Sequence, residues 1–531
     1  MTPTRNRSRA GQTLNRVWLL ALTVSLVLSL AACGREDTGA TPPETAPPRP
    51  DSWLITNVTV IDGTGYPRFA GSVRINGSRI IDVGVLEPLP HETAVDGGGQ
   101  VLAPGFIDTH SHADSDIFEL PDAEPAVSQG ITTAIVGQDG SSPWPLSDFT
   151  TRLEQDPVAL NLASYAGHNT LRAEVMGDDY RRAATDAELE RMETLLLAEL
   201  EAGALGLATG LEYDPGIYSQ PDEVLQLARL AAGYGGRYIS HMRSEDRWLN
   251  EAIEEILHIG RETGMPVQIS HFKLAMKSLW GTADDILTRL DAARAEGIEV
   301  TADIYPYEYW QSNMMVLLPE RDITDRDAVT FALGELAPPE GLWMTQFDPD
   351  PSYVGKTLSE IANLRGTDPV TAFMDLIAES AAMEAETGEP ADAIIGTSMS
   401  EADIVTLLEW EHTNVCTDGG LVDLHPRARG SYPRVLGRYV RDQKAMSLET
   451  AVHKMSGLAA DHMGITDRGR IEAGQAADLV LFDPQTVSDH ATPDRPEALS
   501  SGITTVWVNG KVVWKDGAVT GERPGIFLRR R

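Results

Sequence analysis

The chain has 531 residues, enough for a large barrel plus a smaller domain and too many for one ordinary core. Its hydrophobic content of 42% and charged content of 23% are those of a globular protein, while a formal net charge of -36 argues against a nucleic-acid partner, because a phosphate backbone would be repelled. Two cysteines, Cys33 and Cys416, exclude a disulfide framework, and Cys416 reads as a small buried apolar residue.

Residues 1–16 carry Arg5, Arg7, Arg9 and Arg16 without an acid, and residues 17–32 form the apolar run VWLLALTVSLVLSLAA. A basic stretch followed by a short apolar one predicts a signal peptide over 1–32, since a membrane span needs about 20 apolar residues. Its end, Leu30-Ala31-Ala32-Cys33-Gly34, resembles the bacterial lipobox. The resemblance implies cleavage before Cys33, a lipid on Cys33, and a lipoprotein anchored in the cell envelope. Residues 33–52, rich in Pro, Thr and Gly, are expected to form a flexible tether.

WLITNVTVI (53–61) alternates like a strand, and SVRINGSRIIDVG (72–84) carries an Asn-Gly hairpin signal. GRIEAGQAADLVLFD (469–483) and TTVWVNGKVVWKDG (504–517) read alike at the other end. Residues 53–103 and 468–531 are therefore expected to build one discontinuous β-sandwich domain. Between them, over 104–467, apolar strand candidates alternate with helices. The strands are VLAPGFIDTH (101–110), GITTAIVGQ (130–138), LNLASYAGH (160–168), GALGLATGL (203–211), GGRYISHM (235–242), PVQISHF (266–272), GIEVTADIYPY (297–307) and NVCTDG (414–419). A helix is expected over 184–203, with acids in its first turn and Gly203 as its stop. This alternation predicts an α/β fold, a TIM (β/α)8 barrel. The stretch from about 311 to 375 shows no strand pattern and is expected to be an insertion.

His110 and His112 end the first of these strands, His168 the third, His241 the fifth, His271 the sixth and Asp418 the last. The C-terminal ends of barrel strands face the active site. A single histidine there is more often packed than ligating. However, both side chains of His110-Ser111-His112 point to one face of an extended chain, and His241, His271 and Asp418 lie at corresponding depths. Imidazoles with a carboxylate suit zinc and its neighbours in the first transition row.

PGFIDTHSHAD (104–114) resembles the metal-binding signature of the amidohydrolase superfamily. GHNTLRAEVMG (167–177), GALGLATGLEYDPG (203–216), YISHMRSE (238–245), PVQISHFK (266–273), ADIYPY (302–307), TDGG (417–420), HPRARGSYPRVLGRYVR (425–441) and GQAADLVLFDP (474–484) resemble the D-aminoacylases, the N-acyl-D-amino-acid deacylases. The resemblance implies one metal position at His110, His112 and Asp418 and another at His241 and His271. It implies one or two Zn2+ ions, or other divalent metals. Where the family has a bridging cysteine in a Gly-Asn-Cys-Gly turn, this chain has Gly137-Gln138-Asp139-Gly140, which makes Asp139 the expected bridge. The resemblance further implies Asp418 as the proton-transferring residue, and Tyr213, Lys273 and Arg427 as groups binding the carboxylate of a small N-acylated amino acid. The readings left beside it are another amidohydrolase (dipeptidase, hydantoinase-like cyclic amidase or deaminase) and a non-catalytic ligand-binding lipoprotein. Oligomeric state is not set by these motifs.

Overall fold

The computed structural model describes residues 52–530, residue 91 excepted. The expected signal peptide, the lipidation site Cys33 and the tether up to residue 51 lie outside them.

Both ends of the chain enter one nine-stranded sheet. The front supplies strands Ser52–Val60, Phe69–Asn76, Arg79–Gly84, Thr93–Asp96 and Val101–Pro104. The back supplies Leu479–Phe482, Ile503–Val508, Lys511–Lys515 and Ala518–Val519. The join is the antiparallel pairing of Val101–Pro104 with Leu479–Phe482. Asn509 and Gly510, at φ 48° and 76°, connect two of these strands in a two-residue turn. Two left-handed residues in such a loop match the twist of the strands they join, which is why Asn-Gly announces it. Val60, Val73, Ile75, Leu479, Leu481 and Trp507 form the core of this sheet.

Residues 101–110, expected as one strand, serve two sheets. Gly105 is the pivot: a Cβ there would lie 2.3 Å from the Thr132 side chain, and its amide donates to the Asp478 carbonyl at 2.8 Å. Beyond it the barrel begins with β1 (Phe106–Asp108), followed by β2 (Ile131–Val136) and β3 (Asn161–Ser164, continued by Ala166–Gly167). Then come β4 (Gly206–Gly210), β5 (Arg237–His241), β6 (Val267–Ile269), β7 (Val300–Ile304) and β8 (Thr413–Val415). Successive strands pair in parallel. The ring closes just past β8 and β1, where the amide of Thr417 donates to Asp108 Oδ1 at 2.8 Å and that of Asp418 to the His110 carbonyl at 2.8 Å. Helices cover the outside, so β2, β3, β4 and β7 are buried along their whole length, as strands of parallel sheets are. The helix expected over 184–203 runs Asp186–Ala202, opened by a Thr185–Glu188 capping box and stopped by Gly203 at φ 111°.

The insertion is larger than expected and is not strandless. Between β7 and β8, strands Tyr309–Ser312, Leu342–Phe347 and Asp392–Thr397 form an antiparallel sheet with the last in the middle. Helices Arg326–Glu335, Leu358–Arg365 and Pro369–Thr387 accompany it. A bulge between Met344 and Gln346 breaks the two-residue period that would have revealed the second strand. At the opposite face of the barrel, residues 526–530 run beside β3. Leu162 donates to the Ile526 carbonyl at 3.0 Å, Leu528 donates back to Leu162 at 2.7 Å, and the Arg530 amide donates to Gly203 at 3.0 Å. No helix among the described residues is long and apolar enough to cross a membrane.

Glu199, on the helix Asp186–Ala202, is 3% exposed and accepts from the Leu146 amide. Burial pushes its carboxyl up to about 7, against the pull of that amide. Because the folded state then binds a proton that the unfolded state releases between about pH 4.5 and 7, stability falls through that window. Glu199→Gln should therefore melt a few degrees above the wild type at pH 8 and no higher at pH 4. Equal melting differences at both pH values in a calorimetric series would contradict this.

Candidate metal centre

The barrel delivers each candidate ligand from a different strand end. Past β1 the chain bends at Thr109 and His110, Ser111 bridges to Gly419, and the His112 amide is tied to the Gly419 carbonyl at 3.0 Å, which brings both imidazoles to the same carboxylates. Past β2, Gly137 and Gly140 at φ 72° and 79° bracket a tight turn that carries Asp139 at φ 52°. His241 is the last residue of β5. His271 follows β6 at φ 34°, its amide held by Asp303 Oδ1 at 2.5 Å. Asp418 follows β8 at φ 51°. Left-handed backbone costs non-glycine residues free energy, and here three such residues face one centre.

Asp139 stands between the histidines. Its Oδ1 lies 3.3 Å from His110 Nε2 and 3.2 Å from His271 Nε2, and its Oδ2 lies 3.4 Å from His112 Nε2. Asp418 Oδ1 is 3.3 Å from His112 Nε2 and 3.5 Å from His110 Nε2. His241 Nδ1 is 3.0 Å from His271 Nε2. Ligand atoms of His110, Asp139, His271 and Asp418 lie within 4.8 Å of one another, as do those of His241, Glu245 and His271. His271 thus reaches into both groups instead of standing with His241 alone, because its two ring nitrogens face opposite ways, towards Asp139 and towards Glu245.

The donor set fits a divalent cation. His110 is fully buried, and neither of its ring nitrogens has a hydrogen-bond partner. Its Nε2 is close to two carboxylates without hydrogen-bonding geometry to either, an arrangement that costs about 1–3 kcal/mol unless a shared cation satisfies it. Burial would raise the Asp139 carboxyl, but His110 and His271 hold it well below the carboxylate range. Asp418 is likewise held low, by Arg427 and His271 against burial. Two ionised carboxylates among imidazoles are what zinc and related ions take as ligands.

Asp139, Asp418, His112, His241 and His271 line a cavity of about 450 Å³, together with Tyr213, Lys273 and Arg427. The Tyr213 ring lies 4.4 Å from that of His241. Arg427 NH1 contacts Asp418 Oδ2, and Arg427 Nε is buried with no hydrogen-bond partner. Lys273 is differently placed from a free substrate-binding cation: its Nζ is held by both Glu245 oxygens, at 2.8 and 2.7 Å, and lies 2.7 Å from His271 Nδ1. His168, expected at a strand end, opens the helix His168–Met176. It pairs with Glu223 at 2.9 Å beside Arg172, outside the cavity lining. Cys416 is buried, its thiol donating to Asp303 at 3.4 Å.

Three acids at this centre went unmarked in the sequence reading. Glu245 holds His271 and Lys273, Glu212 lies 3.0 Å from His241 Nε2, and Asp303 anchors the His271 amide. Glu245 is four residues past His241 and Glu212 is next to Tyr213, so proximity to marked residues was the available signal.

The Amidohydrolase family model matches residues 93–313 and 322–514. The chain is 39% identical over 502 residues to N-acyl-D-glutamate deacylase of Alcaligenes xylosoxydans xylosoxydans, covering 90% of this chain and 96% of that one. It is 36% identical to the D-aminoacylase of the same organism, covering 91% and 98%. The crystal structure of N-acyl-D-glutamate deacylase from Bordetella bronchiseptica, complexed with zinc and a phosphonate inhibitor, superposes with a TM-score of 0.80 at 36% identity, covering 90% and 99%.

Purified protein should carry zinc or a similar divalent ion by plasma mass spectrometry, and chelation should lower its melting temperature. Asp139→Ala should weaken retention by at least about tenfold. Asp139→Cys should move competitive loading from manganese towards zinc, because thiolate is the softer donor. Unchanged loading in both variants would remove Asp139 from the centre.

Proposed function

The chain belongs to the amidohydrolase family, in its D-aminoacylase branch, and on that premise we propose that it hydrolyses the amide bond of N-acyl-D-amino acids with a neutral side chain. The observation that carries the reading is the shared cavity: the imidazole–carboxylate cluster and the carboxylate-binding candidates Tyr213 and Arg427 face the same space.

His110, His112, Asp139, His241, His271 and Asp418 would hold the divalent metal, which when bound would supply Lewis acidity towards the acyl carbonyl and towards water. The chain's own groups do the rest. Asp418, ionised and buried, takes the proton of the attacking water and hands it to the amide nitrogen, so that nitrogen departs as an amine. The products are a D-amino acid and a carboxylate. Arg427 retains a buried donor without a partner, suited to the α-carboxylate, and Tyr213 adds a hydroxyl. Lys273 neutralises Glu245 beside His271, and so sets the charge around the ligands.

The side-chain preference follows from the insertion. Trp310, Val316, Leu317 and Leu336 give the cavity an apolar wall. Lys273 and Arg427 are the only lysine or arginine lining it among the described residues, against seven aspartates and glutamates. A second substrate carboxylate would find acids and no spare cation, and burying an unpaired charge costs several kcal/mol.

Asp418→Asn should lower kcat by about 10²–10⁴-fold without changing the melting temperature by more than a few degrees. N-acetyl-D-leucine should exceed N-acetyl-D-glutamate in kcat/KM by at least about tenfold. Preference for the L form, for a hydantoin or for the glutamate derivative in a substrate panel would defeat the corresponding part of the reading.

For residues 1–33 we infer export and lipid anchoring at Cys33 in a bacterial cell envelope. Support comes from the four arginines, the apolar run and Leu30-Ala31-Ala32-Cys33. Cys33→Ser should block labelling by a fatty-acid analogue and release the protein from the membrane fraction. Unchanged labelling would end this inference.

A further inference from the structure

A second cavity, of about 510 Å³, adjoins the first. The two share His112 and Ser141. Its walls come from the loops after β1 and β2 and from the helix Leu146–Gln155 that follows the second of them. Phe118, Trp144 and Phe149, with Pro143 and Pro145, make an apolar surface on which Phe118 and Phe149 meet edge to face at 5.5 Å. The Arg152 guanidinium lies 3.7 Å over the Phe118 ring and helps hold it in place. Phe149 is 9% exposed, and Phe118 and Trp144 are half-buried. Apart from His112, none of the groups used in the mechanism touches this cavity.

A linear amide has two arms. Tyr213 and Arg427, the carboxylate-binding candidates, line only the first cavity and follow β4 and β8. With the α-carboxylate among them and the carbonyl beside His112 and Asp139, the acyl substituent leaves past His112 and Ser141. We propose that the second cavity is the acyl subsite and takes a neutral, aryl-bearing acyl group such as phenylacetyl. Aromatic walls reward a ring by burial and by edge-to-face contact. Asp114, Glu119 and Asp148 outnumber Arg152 around it, which disfavours an anionic acyl arm. An acetyl group would leave the cavity unfilled. The inference rests on the deacylase reading.

The test compares N-phenylacetyl-D-leucine with N-acetyl-D-leucine on the metal-loaded full chain. The wild type should favour the phenylacetyl substrate by at least about tenfold in kcat/KM. Phe118→Ala and Trp144→Ala should each remove most of that preference while leaving N-acetyl turnover within about twofold, and Phe118→Tyr should keep it. Equal rates on the two substrates in the wild type, or variants that depress both alike, overturn the proposal. Calorimetric binding of phenylacetate against acetate separates it from the deacylase reading. Tighter phenylacetate binding that is lost in Phe118→Ala supports the subsite even if no amide is cleaved, whereas N-acetyl hydrolysis with no phenylacetate preference in binding or rate sinks the subsite alone.

Discussion

Two ionised carboxylates, Asp139 and Asp418, are held among four imidazoles at the floor of the cavity, largely withdrawn from solvent. The loss of hydration costs several kcal/mol per ion, and the rest of the structure is arranged around that cost. A second tier of buried acids lies beneath. Asp108 binds the amide and hydroxyl of Thr417, and Asp303 binds the His271 amide, Gln268 and the Cys416 thiol. These bonds fix the turns after β6 and β8, where His271 and Asp418 adopt left-handed backbone. The strain is tolerated because closed neighbours leave the chain no alternative path.

Much of this was legible because the signals are local. His110 and His112 stood out by their spacing beside an apolar strand, although the chain bends between that strand and His112, and the alternation of apolar strands with helices specifies a parallel barrel without long-range information. Asn509-Gly510 names its turn through backbone sterics alone. What escaped is long-range. Glu245 is one acid among 79 aspartates and glutamates until the fold sets it against His271 and Lys273. Lys273, expected among the carboxylate-binding groups, is brought against Glu245 by the same long-range packing. The strand Leu342–Phe347 was hidden by its bulge, and the pivot at Gly105 by the unbroken apolar pattern on either side of it.

Chemistry and selection occupy different parts of the chain. Strand ends of the barrel carry the ligands, whereas the walls around them come from the insertion between β7 and β8 and from the loops after β1 and β2. The 39% identity to N-acyl-D-glutamate deacylase is thus an identity over the whole chain, whereas the proposed preference rests on the few side chains of the cavity wall.

The strap formed by residues 526–530 also bears on the order of assembly. It pairs with Leu162 across more than three hundred residues of chain, and Arg530 reaches the carbonyls of Leu200 and Ala204. The third strand therefore pairs on one side with its sequence neighbour β2 and takes a further contact from a segment more than three hundred residues away. Contacts of such sequence separation also fold slowly. Until residues 526–530 are in place, that edge of the third strand keeps unpaired backbone groups open to other partners.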